Sequence, residues 1–180
     1  MQARNRQGFT LIELLIVVAI IGIISAIAVP GLMGMRRSGN ETSAVGSLRA
    51  IYSSQQAFAA TCGNGFYAAK LTDLAKSPPN GGAPFISPDL GSADEVQKSG
   101  YIISIAAGSD GAAASLDACN GVPAADLTSS WYAKAEPISP GSTGTRFFWI
   151  GTLGTIFADA AQPIPSTVGS DQAPGGAPIQ

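Results

Sequence analysis

Between Phe9 and Met35 the chain carries one formal charge, the carboxylate of Glu13, in an otherwise uncharged and largely aliphatic run. The stretch from Leu14 to Met35 is 22 residues without a charge, enough as a helix to cross a hydrocarbon layer of about 30 Å. Its Leu, Ile, Val and Ala side chains surround the helix instead of forming one stripe, so the whole circumference needs burial, by lipid or by copies of itself. A lone acid in such a helix costs roughly 2.5–3.5 kcal/mol on insertion scales. It is expected only where a cation reaches it, and a new amino terminus made nearby, on this chain or a neighbouring copy, would supply one. Gly22 and Pro30 are expected to break the helix locally, because proline removes a backbone donor and crowds the preceding turn.

Three readings of this segment compete. In the first, Arg4 and Arg6 open a secretory signal peptide whose apolar region ends at the small-residue site Ala26-Ile27-Ala28. In the second, the run is a plain anchor for an extracytoplasmic domain. Neither accounts for Glu13. In the third, the chain is cut between Gly8 and Phe9, which places Glu13 one helical turn from the new amine.

The string Gly8-Phe9-Thr10-Leu11-Ile12-Glu13, followed by an aliphatic run broken near Pro30, resembles the leader-cleavage and methylation motif of type IV pilins and type II secretion pseudopilins. The resemblance is close over residues 1–37 and looser to Ala60. It implies that Gly8 is the cleavage residue, Phe9 the N-methylated terminus, and Glu13 the carboxylate that pairs with the Phe9 amine of a neighbour during assembly. The implied partners are copies of the chain in a helical filament, a prepilin peptidase/methyltransferase, an inner-membrane assembly platform, and the lipid bilayer before assembly. The implied location is the inner membrane as a single pass, then an extracellular pilus or, for a pseudopilin, a periplasmic pseudopilus.

Composition narrows the remaining classes. There is no histidine, which removes His-based triads, His general bases and most catalytic zinc sites. Ten basic residues stand against twelve acids, and loss of Arg4 and Arg6 with a leader would make the balance more acidic, so no nucleic-acid partner is expected. No serine sits in a nucleophile elbow, and the adjacent Asp94 and Glu95 read as solvated rather than as an acid–base pair. Asp110, Asp117 and Asp126 match no EF-hand spacing. No enzyme activity, metal or cofactor is expected. Cys62 and Cys119 are the only thiols. Outside the cytoplasm a disulfide is the favoured reading, contributing roughly 3–4 kcal/mol by chain entropy; two buried reduced thiols are the alternative.

Beyond Pro30 the apolar pattern becomes one-sided. Val45, Leu48, Tyr52, Gln55 and Phe58, with Ile51 and Ala59 beside them, recur at helical spacing, with Ser47, Arg49, Ser53, Ser54 and Gln56 opposite. The helix should therefore continue, amphipathic, to about Ala60, where Gly63 and Gly65 stop it. Strands are expected at Tyr101–Ile105, Trp131–Ala135, Arg146–Ile150 and Thr155–Phe157, with a short helical turn at Leu71–Lys76 and a Gly/Ala-rich loop over Asp110–Asp126. The expected fold class is α+β, a long helix packed on a small antiparallel sheet of three or four strands, as the pilin resemblance also implies. The expected organisation is a leader at 1–8, a transmembrane or filament-core helix at 9–35, an amphipathic continuation at 36–61, a globular β domain at 62–157 and a flexible Pro/Gly-rich tail at 158–180.

Overall fold

The computed structural model describes residues 8–79, 81–160 and 176–179. Residues 1–7 of the expected leader and 161–175 of the expected tail lie outside the described residues. The chain divides into two compact units, Met1–Arg36 and Arg37–Gln180, and one helix, α1 (Leu11–Thr61, 51 residues), contributes to both.

In the first unit α1 exposes its whole circumference. Leu11, Ile12, Leu14, Leu15 and the aliphatic residues that follow, to Met35, are all exposed. This segment is long and apolar enough to cross a membrane. α1 is helical through both Gly22 and Pro30. Pro30 withholds one amide from the ladder, but the aliphatic turns on either side keep their own i→i−4 bonds, so one missing bond does not end the helix.

In the second unit α1 buries Glu41, Ala44, Ser47, Leu48, Ile51, Gln55, Phe58 and Ala59, a stripe advancing three or four residues at a time. The stripe is rotated slightly from the sequence expectation. Val45 and Tyr52 are half-buried at its margin, while Ser47, assigned to the polar face, points inward. Its hydroxyl donates to the Ser43 carbonyl at 3.0 Å, which removes the cost of burying it. Gln55 is fully buried and bonds the backbone of Ala68 both ways: its Nε2 donates to the Ala68 carbonyl at 2.7 Å and its Oε1 accepts from the Ala68 amide at 3.0 Å. The side-chain amide stands in for a neighbouring strand. The helix stops where Gly63 must be glycine, because a Cβ there would lie 2.2 Å from the Phe66 carbonyl oxygen.

α1 packs on β-structure, the α+β arrangement expected. Two short strands, β1 (Tyr67–Ala68) and β4 (Leu127–Thr128), pair with each other. Six others form an antiparallel sheet in the order β2 (Glu95–Lys98), β3 (Tyr101–Ala107), β5 (Trp131–Pro137), β6 (Phe147–Gly151), β7 (Ile156–Asp159) and β8 (Ala177–Ile179). Short helices α2 (Leu71–Leu74) and α3 (Pro88–Gly91) fill the connection before β2. Four of the six sheet strands lie where the residue pattern put them. The sheet is larger than expected by β2 and β8. Four polar or charged neighbours hide the single apolar Val96 of β2, and β8 lies within the stretch read as a mobile tail. Residues Ala177–Ile179 correct that reading, because they pair in register with Ile156–Ala158.

The main core joins Leu48, Ile51 and Phe58 of α1 to Ile103, Trp131, Phe148 and Ile150, each large side chain worth roughly 1.5–3 kcal/mol on burial. All five residues of β6 are buried. Phe148 and Ile150 belong to this core, whereas Phe147 and Trp149 join Tyr132 in a second cluster, as alternation along a strand requires.

The two cysteines form a disulfide that closes 57 residues of sequence separation. Cys119 N also donates to the Cys62 carbonyl at 3.0 Å. The loop over Asp110–Asp126 is thus tied to the residue just after α1.

Candidate functional site

The residues singled out at the amino terminus meet at the first turn of α1. Thr10 precedes Leu11, the first helical residue, and Glu13 is the third. The Thr10 amide donates to Glu13 Oε2 at 3.0 Å, the Thr10 hydroxyl donates to the same oxygen at 2.6 Å, and the Glu13 amide donates to Thr10 Oγ1 at 3.3 Å. This is a capping box, in which two amides that a helix start leaves without partners are satisfied reciprocally. The carboxylate also lies in the first turn, where it complements the positive end of the helix dipole. The signal was legible as Thr10-Leu11-Ile12-Glu13, the pattern of a hydroxyl residue followed three places later by an acid. The cost of an acid in an apolar run does not by itself reveal this local partner.

Gly8 and Phe9 lie just ahead of this turn, outside the helix. Phe9 is 85% exposed, and no Cβ clash restricts Gly8. The site therefore consists of an accessible Gly8–Phe9 bond, a capped helix start bearing one carboxylate, and an uncovered apolar helix behind it. Among the described residues no group of three or more His, Cys, Asp or Glu side chains is arranged to hold a metal ion.

A second charged cluster, not foreseen from sequence, lies where α1 meets the sheet. Glu41 is 7% exposed and accepts from the Thr145 amide at 2.9 Å, the Thr145 hydroxyl at 2.8 Å and Arg146 Nε at 2.9 Å. Burial alone would raise its pKa, but the Thr145 and Arg146 donors outweigh it and hold the carboxyl below its ordinary value. Two neighbours complete the clamp. Asn40 Nδ2 donates to the Thr143 carbonyl at 2.8 Å, and the Tyr101 hydroxyl donates to the Arg146 carbonyl at 2.9 Å. Glu41 pairs with residues more than a hundred positions away, so no local pattern could reveal it.

Comparison with known proteins bears on the amino-terminal site. The profile of the prokaryotic N-terminal methylation motif matches residues 3–29. The type IV major pilin protein PilA of Myxococcus xanthus is 51% identical over 55 residues, 31% of this chain and 24% of that protein. The type IV wide pilus major component PilA4 of Thermus thermophilus is 56% identical over 39 residues, 22% of this chain and 30% of that protein. The type II secretion system core protein G of Aeromonas hydrophila is 39% identical over 51 residues, 28% of this chain and 36% of that protein. The match thus spans between about a quarter and a third of the length of these relatives. No solved structure matches the chain. The amino-terminal segment of this chain carries the prokaryotic N-terminal methylation motif and is similar there to type IV pilins and to the core G protein of type II secretion systems.

Proposed function

We propose that this chain is the precursor of a structural subunit of a type IV pilus-like filament. The observation that carries the reading is the uncovered apolar circumference of α1 up to Met35, behind a methylation motif that matches residues 3–29. The precursor sits in the inner membrane through this segment. A prepilin peptidase/methyltransferase cuts after Gly8 and methylates the Phe9 amine, and an inner-membrane platform then moves the subunit into the filament. There the apolar helices of neighbouring copies replace lipid, and their burial supplies the cohesion. A head-to-tail contact that does not close on itself extends as a filament. The protein has no catalytic role of its own.

Glu13 serves assembly without leaving its capping role. Both Thr10 bonds end on Oε2, and a carboxylate has further lone pairs, so Oε1 is open to the Phe9 amine of a neighbouring subunit. That ion pair sets register more than cohesion, because desolvation offsets much of its Coulomb energy. The missing amide at Pro30 and the glycine at Gly22 make the intervening turns the first to loosen during packing.

Mass spectrometry of the mature protein tests this reading. N-methyl-Phe9 as first residue is expected; Val29 would indicate a signal peptide, and an intact Met1 a plain anchor. A second reading, a pseudopilin of a type II secretion system with a periplasmic pseudopilus, is favoured by the similarity to core protein G, which extends over 51 residues. Sheared surface fibres containing the chain support the pilus. Fibres lacking it support the pseudopilus.

A further inference from the structure

The cations of the described residues fall into two groups. Lys70, Lys76, Lys98, Lys134 and Arg146 each have an acid within 3.4 Å. Arg36, Arg37 and Arg49 have no such partner. Two of these three follow directly on the last residue of the apolar run, Met35.

Arg37 has a helical acid at the right spacing and does not use it. Glu41 lies four residues on, where a base and an acid ordinarily pair along a helix. Its carboxylate is instead occupied by Thr145 and Arg146. Arg37 is left half-buried, with its Nε shielded from water and without an acceptor. A buried donor with no partner is a cost that a swing of the side chain toward an anion would relieve. Arg36 beside it is exposed.

From this we infer that Arg36 and Arg37 bind the phosphate of an anionic phospholipid headgroup while the subunit resides in the bilayer. Lipid phosphate is the anion found at the end of a membrane-spanning run, and a guanidinium fork matches phosphate oxygens in a way that a point charge does not. The inference rests on the reading of residues 9–35 as a membrane span. It adds a lipid partner that the subunit must release when it enters the filament, so anionic lipid holds subunits in the membrane pool.

The test is native mass spectrometry of the full chain released from bilayer nanodiscs of phosphatidylcholine with a minority of phosphatidylglycerol. Retained lipid should be enriched in phosphatidylglycerol roughly tenfold or more over the bulk ratio, from two juxtamembrane arginines. The Arg36→Gln/Arg37→Gln variant should enter nanodiscs as well as the unaltered chain and lose the enrichment. Arg36→Lys/Arg37→Lys should keep part of it. No enrichment, or enrichment that persists in the glutamine variant, overturns the lipid site; so does an unenriched chain whose glutamine variant forms no filaments, which assigns the arginines to a contact between subunits. A chain that does not enter these nanodiscs overturns the membrane reading itself.

Discussion

Glu41 of α1 and Arg146, the loop residue just before β6, form an ion pair across 105 positions of sequence, with Arg146 Nη2 2.7 Å from Glu41 Oε2. The Glu41 side chain is 9% exposed and that of Arg146 45%, so one partner is committed and the other still reaches water. The pair, with both Thr145 donors, fastens α1 to the β5–β6 loop.

Glu41→Gln should therefore destabilise the protein by about 2 kcal/mol, the scale of charge-assisted bonds lost at a partly wet site. The effect has a pH signature. The folded pKa lies below the unfolded value of 4.5, so the contribution is present above about pH 4.5 and is lost as pH falls through the folded pKa. Urea unfolding measured across the acid range should show a falling midpoint for the unaltered protein and a shallower fall for Glu41→Gln. Equal slopes would remove the assigned role.

Tyr101 gives the opposite limb. Its phenol is pushed up to about 12, first by burial and then by the nearby Glu41 charge. A folded pKa above the unfolded 10 means stability that is full below pH 10 and declines from there to about pH 12. Tyr101→Phe should abolish this alkaline decline and lose the bond to the Arg146 carbonyl, costing about 1 kcal/mol at neutral pH. Ultraviolet difference absorbance across the alkaline range reads the titration directly.

Reduction of the disulfide should cost roughly 4 kcal/mol by the chain-entropy estimate for a loop of this length. Cys62→Ser/Cys119→Ser, or the unaltered protein in reductant, should unfold at clearly lower urea. Equal midpoints with and without reductant would show that the bridge does not constrain the unfolded chain.

Thr10→Ala should remove the capping hydroxyl and destabilise the first turn of α1 by about 1 kcal/mol, whereas Thr10→Ser should keep it. Amide exchange at Leu11, Ile12 and Glu13 should quicken in the alanine variant alone.

Glu13→Ala tests the assembly role proposed for that carboxylate. Cleavage after Gly8 should remain largely intact while filament yield falls. Abundant filaments from this variant would leave Glu13 with only its capping role.

Much of the fold was legible because it rests on repeating patterns. The helical spacing of Leu48, Ile51, Gln55 and Phe58 announced the second half of α1, and the aromatic and aliphatic runs at Tyr101–Ile105 and Trp131–Ala135 announced two strands. β2 and β8 were illegible for the converse reason. β2 carries one apolar residue, Val96, and β8 is three residues with Pro178 at its centre, and each becomes a strand only because a longer neighbour offers it hydrogen bonds. Ser47 was placed on the wrong face because its type suggests solvent, while its position in the helix decided burial and Ser43 satisfied its hydroxyl. α1 stays helical through Gly22 and Pro30, since one missing hydrogen bond is too weak to end it.

At the amino-terminal site, the sequence by itself determined the uncharged span, its one acid and the Gly8–Phe9 junction, since these depend on the order of residues and on the cost of charge in an apolar run. Tertiary structure decided which charges are spoken for. Only the folded chain brings Thr145 and Arg146 to Glu41 and joins Cys62 to Cys119, because pairings between distant residues depend on how the helix meets the sheet. The fold commits Glu41 and leaves Arg37 without a counter-ion, a difference that two residues one helical turn apart do not reveal in sequence.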